Sequence, residues 1–224
     1  FFDYQPTMSK EGPDMVLKDF RGNLQTDGYE TYSHFDDLEG VEQANCMSHA
    51  RRKFFDAKDN DVGRTDYVLQ QMGLLYAIEE KARDWSADDR LALRQQDAVP
   101  ILDRLGAWMK TEYPKLPPRS AIAKALAYSI TRWKKLCLYS TDGNLCIDNN
   151  PIERSIRAIA LGRKNWMFCG SHQAARRAAM LYSLLGTCKM HHVNPYEWLK
   201  DVIIRIPSHP INRIDELLPH IWCQ

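Results

Sequence analysis

The sequence predicts an α/β fold that is rich in helix, and two patterns carry this prediction. Short runs of strand-forming residues, bounded by turn signals, occur at Phe1–Gln5, Leu24–Tyr29 and Val41–Cys46. From about Thr65 to Lys135, apolar residues instead recur at helical spacing without a strand signal. The length of 224 residues, with 44% hydrophobic and 26% charged residues, is typical of a soluble chain that forms one large domain or a domain with an insertion.

The first elements place one acidic residue at a distinctive position. After a short predicted helix at Asp14–Phe20, the strand Leu24–Tyr29 ends in the turn signal Asp27-Gly28. Ligand and catalytic groups gather at the carboxyl ends of strands in α/β sheets, which makes Asp27 a candidate site residue. The alternative is that Asp27 only forms an Asx turn.

A basic helix and a long helical block follow the second strand. The helix predicted at His49–Ala57 carries three consecutive cations in its first turns, Arg51, Arg52 and Lys53. Residues 59–140 are predicted to form a mainly helical insertion, in which Ile122, Leu126, Ile130 and Trp133 give a clear stripe of period 3.6. Leu136–Ile147 is predicted to contain a short strand and the turn Asp142-Gly143.

The segment Asp148–Arg157 predicts the start of a helix that bears charged side chains. Asn150 suits the capping position and Pro151 the first helical position, where its missing N–H group would have no partner. Ile152, Ile156 and Ile159 fall at i, i+4 and i+7, which predicts a buried apolar stripe.

Glu153 lies off that stripe, with Arg154 beside it and Arg157 one turn further. A carboxylate among arginines can hold a divalent cation next to a phosphate. The segment by itself favours the alternative, a capping box with an ordinary i, i+4 surface pair.

The last third of the chain begins with a basic loop, Gly162-Arg163-Lys164-Asn165-Trp166. Its cations, amide and indole suit phosphate contacts and base stacking, and the alternative is a turn with a core tryptophan. Helices are predicted at residues 172–189 and Pro195–Ile206, and a last turn near Ile214–Leu218.

Positive charge is concentrated in two places. Residues 1–45 hold three Lys/Arg against ten Asp/Glu, a balance of −7. Residues 46–58 have a balance of +3, and residues 148–189 hold seven cations against two acids, a balance of +5. Concentrated positive charge indicates a polyanionic partner, although solvated basic faces are also common.

Several classes of protein find no support in the sequence. No apolar run approaches the roughly 20 residues of a membrane span, and no Gly-rich phosphate loop is present. The six cysteines have no regular spacing, which predicts reduced thiols in a cytoplasmic protein. The pairs Cys46/His49 and Cys169/His172 could together bind structural zinc, or serve local hydrogen bonds. The start at Phe1, without a signal peptide, predicts a fragment or a truncated reading frame.

Four motifs, in this order and spacing, resemble the transposases of the insertion sequence 66 family. They are Leu24–Tyr29, Cys46-x-x-His49-Ala50-Arg51-Arg52-Lys53-Phe54, Asp148-Asn149-Asn150-x-x-Glu153-Arg154-x-x-Arg157 and Gly162-Arg163-Lys164-Asn165-Trp166-x-Phe168-x-Gly170-Ser171. The resemblance extends from about residue 1 to about residue 220. It implies a ribonuclease-H-like core in two parts, residues 1–58 and 141–224, which flank the helical insertion.

The resemblance also implies an Asp-Asp-Glu triad that binds Mg²⁺, for which Mn²⁺ can substitute. Asp27 matches the second aspartate of the family and Glu153 the glutamate. In the family, the first aspartate lies on the opening strand of the core, which corresponds to a position before Phe1, and neither Asp3 nor Asp14 matches it. We therefore expect a truncated core that has weak activity, or none, by itself.

The implied activity is metal-dependent strand cleavage and transfer at transposon ends. Phosphate contacts are expected from two groups: Arg51, Arg52 and Lys53, and Arg154, Arg157, Arg163, Lys164 and Asn165. The expected partners are transposon-end and target DNA, further copies of the chain and accessory transposition proteins, in the bacterial cytoplasm and at the nucleoid. The alternatives are a non-enzymatic DNA-binding or regulatory remnant of a transposase, and a helical protein that is stabilised by structural zinc.

Overall fold

A computed structural model describes residues 1–7, 9–162 and 169–222 of the chain. These residues form two compact units. The sheet-bearing unit is Ser9–Pro151, and the C-terminal unit combines Phe1–Met8 with Ile152–Gln224.

The sheet of the sheet-bearing unit is a parallel pair of short strands. β1 (Gly22–Thr26) pairs with β2 (Val41–Asn45) in a register that aligns Gly22 with Val41 and Thr26 with Asn45. The helix α1 (Glu11–Leu17) precedes β1, and a 3₁₀ helix (Glu30–Asp37) lies in the connection between the strands. β1 ends one residue before Asp27, so the predicted position of this acid at a strand's carboxyl end is confirmed.

Helices make up the rest of the sheet-bearing unit. They are α2 (Met47–Asp56), α3 (Val62–Lys81), α4 (Ala87–Leu93), α5 (Val99–Glu112) and α6 (Ala121–Cys137), and a π-helical turn (Arg94–Ala98) joins α4 to α5. Side-chain oxygens of Asp61, Ser86 and Ser120 cap α3, α4 and α6 by accepting backbone N–H groups. The helical pattern predicted for residues 65–135 is therefore confirmed.

The core of this unit lies among α2, α3, α5 and α6. Its fully buried side chains include Met47, Phe54, Met72, Leu105 and Leu126. Burial of these apolar groups holds α2 against the helical block, and α2 in turn follows β2 directly. The same packing therefore positions the carboxyl ends of both strands.

The C-terminal unit is helical. α7 (Asn150–Gly162) leads into it, and α8 (His172–Met190), α9 (Pro195–Arg205) and a 3₁₀ segment (Ile211–Leu217) follow. The buried Trp198 donates its indole N–H group to the Leu217 carbonyl at 2.9 Å, which fixes the last segment on α9. In the described ranges, we find no helix with the length and apolarity that a membrane crossing requires.

Two predicted strands are wrong. Phe1–Gln5 has no regular secondary structure, because both backbone polar groups of Phe2 bind the Ser183 hydroxyl instead of a neighbouring strand. Leu136–Ile147 forms the end of α6, a 3₁₀ turn (Leu138–Thr141) and a loop. Carbonyl groups of this segment bind the Arg94 side chain, which takes the place of a strand partner.

Candidate functional site

Asp27 is exposed at the carboxyl end of β1 and is held by a turn. Its Oδ1 atom accepts the Tyr29 backbone N–H group at 2.9 Å, which is the Asx turn that the sequence offered as an alternative. The buried Thr26 hydroxyl accepts the Gly28 N–H group at 3.3 Å and the Asn45 side-chain amide at 3.2 Å, which ties the two strand ends together. Among the described residues, none donates a hydrogen bond to Oδ2 of Asp27, so the turn leaves this oxygen available.

Gly28 brings the turn close to helix α6. Its φ of +82° lies in the left-handed region, which glycine adopts at low cost. A Cβ atom at this position would lie 3.2 Å from the Tyr128 hydroxyl and 3.5 Å from Nε of Arg132. The backbone next to Asp27 is therefore in direct contact with two side chains of α6.

The three consecutive cations of α2 face different surroundings. The ammonium group of Lys53 lies 5.8 Å from the centre of the Tyr128 ring, on the side of the strand ends. Arg51 and Arg52 instead line a groove of about 670 Å³, together with Phe55 and other residues. All three cations are exposed, as expected for DNA contacts, but they do not form one continuous face.

The start of α7 is built on a buried carboxylate. Asp148 is only 6% exposed, and it accepts the Asn150 backbone N–H group at 3.0 Å, the Asn150 side-chain amide at 2.6 Å and the Tyr76 hydroxyl at 3.0 Å. The adjacent Asn149 donates its N–H group to Sγ of Cys46 at 3.3 Å. Burial, and then the Asp148 carboxylate, raise the pKa of Tyr76 far above its usual range. Asn150, predicted as the cap, is instead the first helical residue, because Asp148 supplies the accepting oxygen.

The charged side chains of α7 are placed as predicted, but its apolar stripe is not. Glu153, Arg154 and Arg157 are exposed. Ile152 and Ile156 are 54% and 47% exposed, so the prediction of a buried stripe is wrong. Helical periodicity identified the helix, but it does not decide how much of the apolar face other residues cover.

Arg94 anchors the segment that leads to α7. Its guanidinium group is 1% exposed and donates five hydrogen bonds. Two of them go to the Glu79 carboxylate, and the others go to the carbonyl groups of Tyr139, Asp142 and Leu145. This bonding fixes the loop before Asp148 onto α3, and it has no counterpart in the sequence predictions.

The structure gives the cysteine–histidine pairs local partners. Buried Cys46 accepts the Asn149 N–H group, and His172 lies 2.7 Å from the Tyr4 hydroxyl through its Nδ1 atom. Cys46 and His49 belong to the sheet-bearing unit, whereas Cys169 and His172 belong to the C-terminal unit. A shared zinc site therefore stays a prediction.

Other predicted site residues are also untested. Asp27 and Glu153 lie in different units, so their pairing in one metal site stays a prediction. Arg163, Lys164 and Asn165 lie outside the described residues.

The structure adds residues that the sequence analysis missed: Tyr76, Arg94, Tyr128 and Arg132. Only the i, i+4 spacing of Tyr128 and Arg132, which favours an aromatic–arginine contact, was visible in the sequence.

The fold and site together define a helix-rich α/β protein that presents an available carboxylate oxygen among cations at the end of its sheet. Comparison with known proteins gives the family. The model of the Transposase IS66 family matches residues 1–177, and the IS66 C-terminal element matches residues 183–220. The chain therefore belongs to the Transposase IS66 family, and its function is related to transposition.

Three relatives come from Sinorhizobium fredii (strain NBRC 101917 / NGR234). "Uncharacterized protein y4hP" is 34% identical, and the match covers 95% of this chain and 42% of the relative. "Uncharacterized protein y4jD" is 34% identical over 98% of this chain and 45% of the relative, and "Uncharacterized protein y4qI" is 35% identical over 91% and 39%. The chain thus spans less than half the length of these relatives. No solved structure matches the chain.

Proposed function

We propose that the protein is the catalytic region of a DNA transposase, which cleaves and transfers DNA strands at transposon ends in a metal-dependent reaction. The observation that carries the proposal is the available Oδ2 atom of Asp27 at the end of β1, in a chain of a transposase family. A rigid strand end can hold a metal-binding carboxylate in place while a long substrate binds and leaves. The chain spans 39% to 45% of its relatives, so the activity of a longer protein is part of the proposal.

The side chains present fit a hard divalent cation. Asp27 and Glu153 are exposed carboxylates, and oxygen ligands of this kind are those that Mg²⁺ and Mn²⁺ take in proteins. These two residues would hold the metal. When bound, a metal of this type generates a nucleophile from water or a 3′-hydroxyl and stabilises the charge on phosphoryl oxygens.

The basic side chains would hold the DNA. Lys53 is beside the strand end that carries Asp27, and Arg51 and Arg52 would bind phosphates along the neighbouring groove. The exposed Arg154 and Arg157 of α7, with Arg163, Lys164 and Asn165, would hold the strand near Glu153. Since these contacts are to phosphates, they would contribute affinity and orientation, and little sequence preference.

The proposal includes a ribonuclease-H-like core, bacterial cytoplasmic and nucleoid localisation, self-association and accessory transposition proteins as partners. The core is supported by the parallel pair β1–β2 with an acid at its carboxyl end, and by a helix that bears a second acid. The other parts rest on family membership.

A non-enzymatic DNA-binding or regulatory role is the second candidate. One observation favours it: Oδ1 of Asp27 accepts the Tyr29 backbone N–H group, which is a structural role that needs no metal. Such a protein would keep the basic surfaces and bind DNA without cutting it.

A nicking assay separates the two candidates. The substrate is end-labelled duplex DNA that carries the transposon end, and the protein is the chain extended to the length of its relatives. The catalytic proposal predicts single-strand cuts with Mg²⁺ or Mn²⁺ and none with EDTA. Stable DNA binding without cuts in either metal would favour the regulatory role.

A further inference from the structure

The carboxyl ends of β1 and β2 open into a cavity that the predicted DNA contacts do not include. The cavity has a volume of about 490 Å³, and its wall combines the turn after Asp27, the end of β2 and the last turns of α6. Its lining includes the polar residues Ser33, Gln43 and Asn45 and two cations, Arg132 and Lys135. Glu30 contributes one carboxylate to the same wall.

The two cations differ in how far they are already neutralised. Lys135 forms an ion pair with Asp36, so its charge is largely committed to the protein. Arg132 stacks on the Tyr128 ring at 4.3 Å, and among the described residues its only hydrogen-bond partner is the Thr131 hydroxyl, at 3.3 Å. Within the described ranges, no carboxylate lies within 4 Å of the Arg132 guanidinium group.

The contacts of Arg132 hold it against Gly28, the residue that follows Asp27. The ring of Tyr128 supports one face of the guanidinium group, and a Cβ atom at Gly28 would press on the Tyr128 hydroxyl at 3.2 Å and touch Nε of Arg132 at 3.5 Å. Burial raises the pKa of Tyr128, the Arg132 cation lowers it, and Cys46 and then Asp27 raise it by smaller amounts, so Arg132 and Asp27 both act on this ring. Helix α6 therefore places the Arg132 cation at the turn that follows Asp27.

We propose that Arg132 and this cavity form a phosphate subsite, which binds the DNA backbone next to Asp27. Arginine suits this role because its planar group can donate two parallel hydrogen bonds to phosphate oxygens while one face stays stacked on an aromatic ring. The inference rests on the proposed function, since it names the part of a DNA substrate that would lie at Asp27. It also gives the helical block a part in substrate binding, in addition to its packing role.

The test is DNA binding in EDTA, where no cleavage can occur. Fluorescence anisotropy with a labelled 24-nucleotide single strand and its duplex is measured at several salt concentrations. The Arg132→Ala variant should bind roughly five- to tenfold more weakly at low salt, because charge-assisted hydrogen bonds are lost. The salt slope for the duplex should fall by about 0.9, the value for one lost phosphate contact.

Two further variants serve as controls. Lys134→Ala removes an exposed cation from the same helix, outside the lining of the cavity, and should change affinity and slope less than Arg132→Ala. Arg132→Lys keeps the charge and should retain the slope, but with weaker binding than the wild type. Inorganic phosphate at millimolar concentration should not displace the oligonucleotide if the subsite acts as part of an extended backbone site. Full displacement by phosphate would identify it as a site for a free anion and overturn the proposal.

The outcomes distinguish this inference from the proposed function. If Arg132→Ala binds DNA as tightly and with the same slope as Lys134→Ala, or if the wild type does not bind DNA, the subsite is wrong. Loss of cleavage in Asp27→Asn, with unchanged binding in Arg132→Ala, would keep the catalytic proposal and remove the subsite. Weaker binding in Arg132→Ala, with no metal-dependent cleavage by the wild type, would keep the subsite and remove the catalytic proposal.

Discussion

Replacement of Arg94 by methionine should destabilise the sheet-bearing unit more than any change of a surface ion pair. The change removes a guanidinium group that is 1% exposed and leaves the Glu79 carboxylate, which is 16% exposed, without its partner. It also removes the donors to three carbonyl groups in the loop before Asp148. Breaking a buried ion pair from one side costs about 3–5 kcal/mol, because the remaining charge stays buried and uncompensated.

This free energy corresponds to a measurable shift in thermal unfolding. A loss of 1 kcal/mol lowers Tm by about 2–4 °C in a domain of 150–250 residues, so Arg94→Met should lower Tm by about 6–20 °C. The assay is thermal denaturation followed by circular dichroism. Adding Glu79→Gln should recover part of the loss, because it removes the orphaned charge.

A surface pair in the same region gives the control. Arg83 and Glu80 form an i, i+3 ion pair in which both side chains are about two-thirds exposed, at 66% and 64%. Arg83→Met should therefore cost less than about 1 kcal/mol. If Arg94→Met and Arg83→Met unfold within 2 °C of each other, the inference that Arg94 anchors this loop is wrong.

Two further predictions concern buried titratable groups. Tyr76→Phe should lower the free energy of unfolding by about 1–3 kcal/mol in a denaturant titration, because the buried Asp148 loses a hydrogen bond. The control is Tyr67→Phe, which should be nearly neutral. The Tyr67 ring contacts Trp108, and its hydroxyl forms no hydrogen bond among the described residues. The raised pKa of Tyr76 favours the protonated phenol in the folded state, so the stability of the wild type should fall as pH rises above about 10. If the stability of Tyr76→Phe falls as steeply with pH in this range, the prediction is wrong. Burial, and then Asp103, raise the pKa of Cys137 to about 12, so iodoacetamide at pH 8.5 should label the exposed Cys146 well before Cys137; equal labelling, measured by peptide mass spectrometry, would refute the burial argument.

Features with a local cause could be predicted from the sequence. The strand β1 and the turn after it follow from strand-forming residues and the Asp27-Gly28 signal, and both are observed within a few residues of the predicted bounds. The helices of residues 65–135 follow from an apolar period that is uninterrupted apart from short loops. In each case the residues that determine the element lie within one or two turns of it.

Features that depend on distant partners could not be predicted. Arg94 binds carbonyl groups 45 to 51 residues away, and Tyr76 reaches Asp148 across 72 residues. Nothing in the neighbourhood of either residue indicates these contacts. The strand predicted at Phe1–Gln5 is wrong for the same reason, since Phe2 binds Ser183, a partner 181 residues away.

The candidate site shows the same division. Motif position identified Asp27 and Glu153, and charge clustering identified Lys53. The arrangement of cations around the strand end depends on the packing of α6 against β2 and α2, which places Arg132 against Gly28, the residue after Asp27. The sequence thus indicated which residues carry charge, but it could not indicate which of them meet.

The most direct test of the proposed function is the rate of metal-dependent strand cleavage by Asp27→Asn and Glu153→Gln in the extended protein. Both changes are nearly isosteric and remove a negative charge, so DNA binding should persist. Cleavage in Mg²⁺ should fall by at least about 100-fold, because loss of a ligand weakens the hold on the metal that stabilises the transition state. The control is Asp37→Asn, an exposed acid in the connection between the strands. Cleavage by either variant at the rate of the wild type and of Asp37→Asn would remove that carboxylate from the reaction and contradict the proposed site.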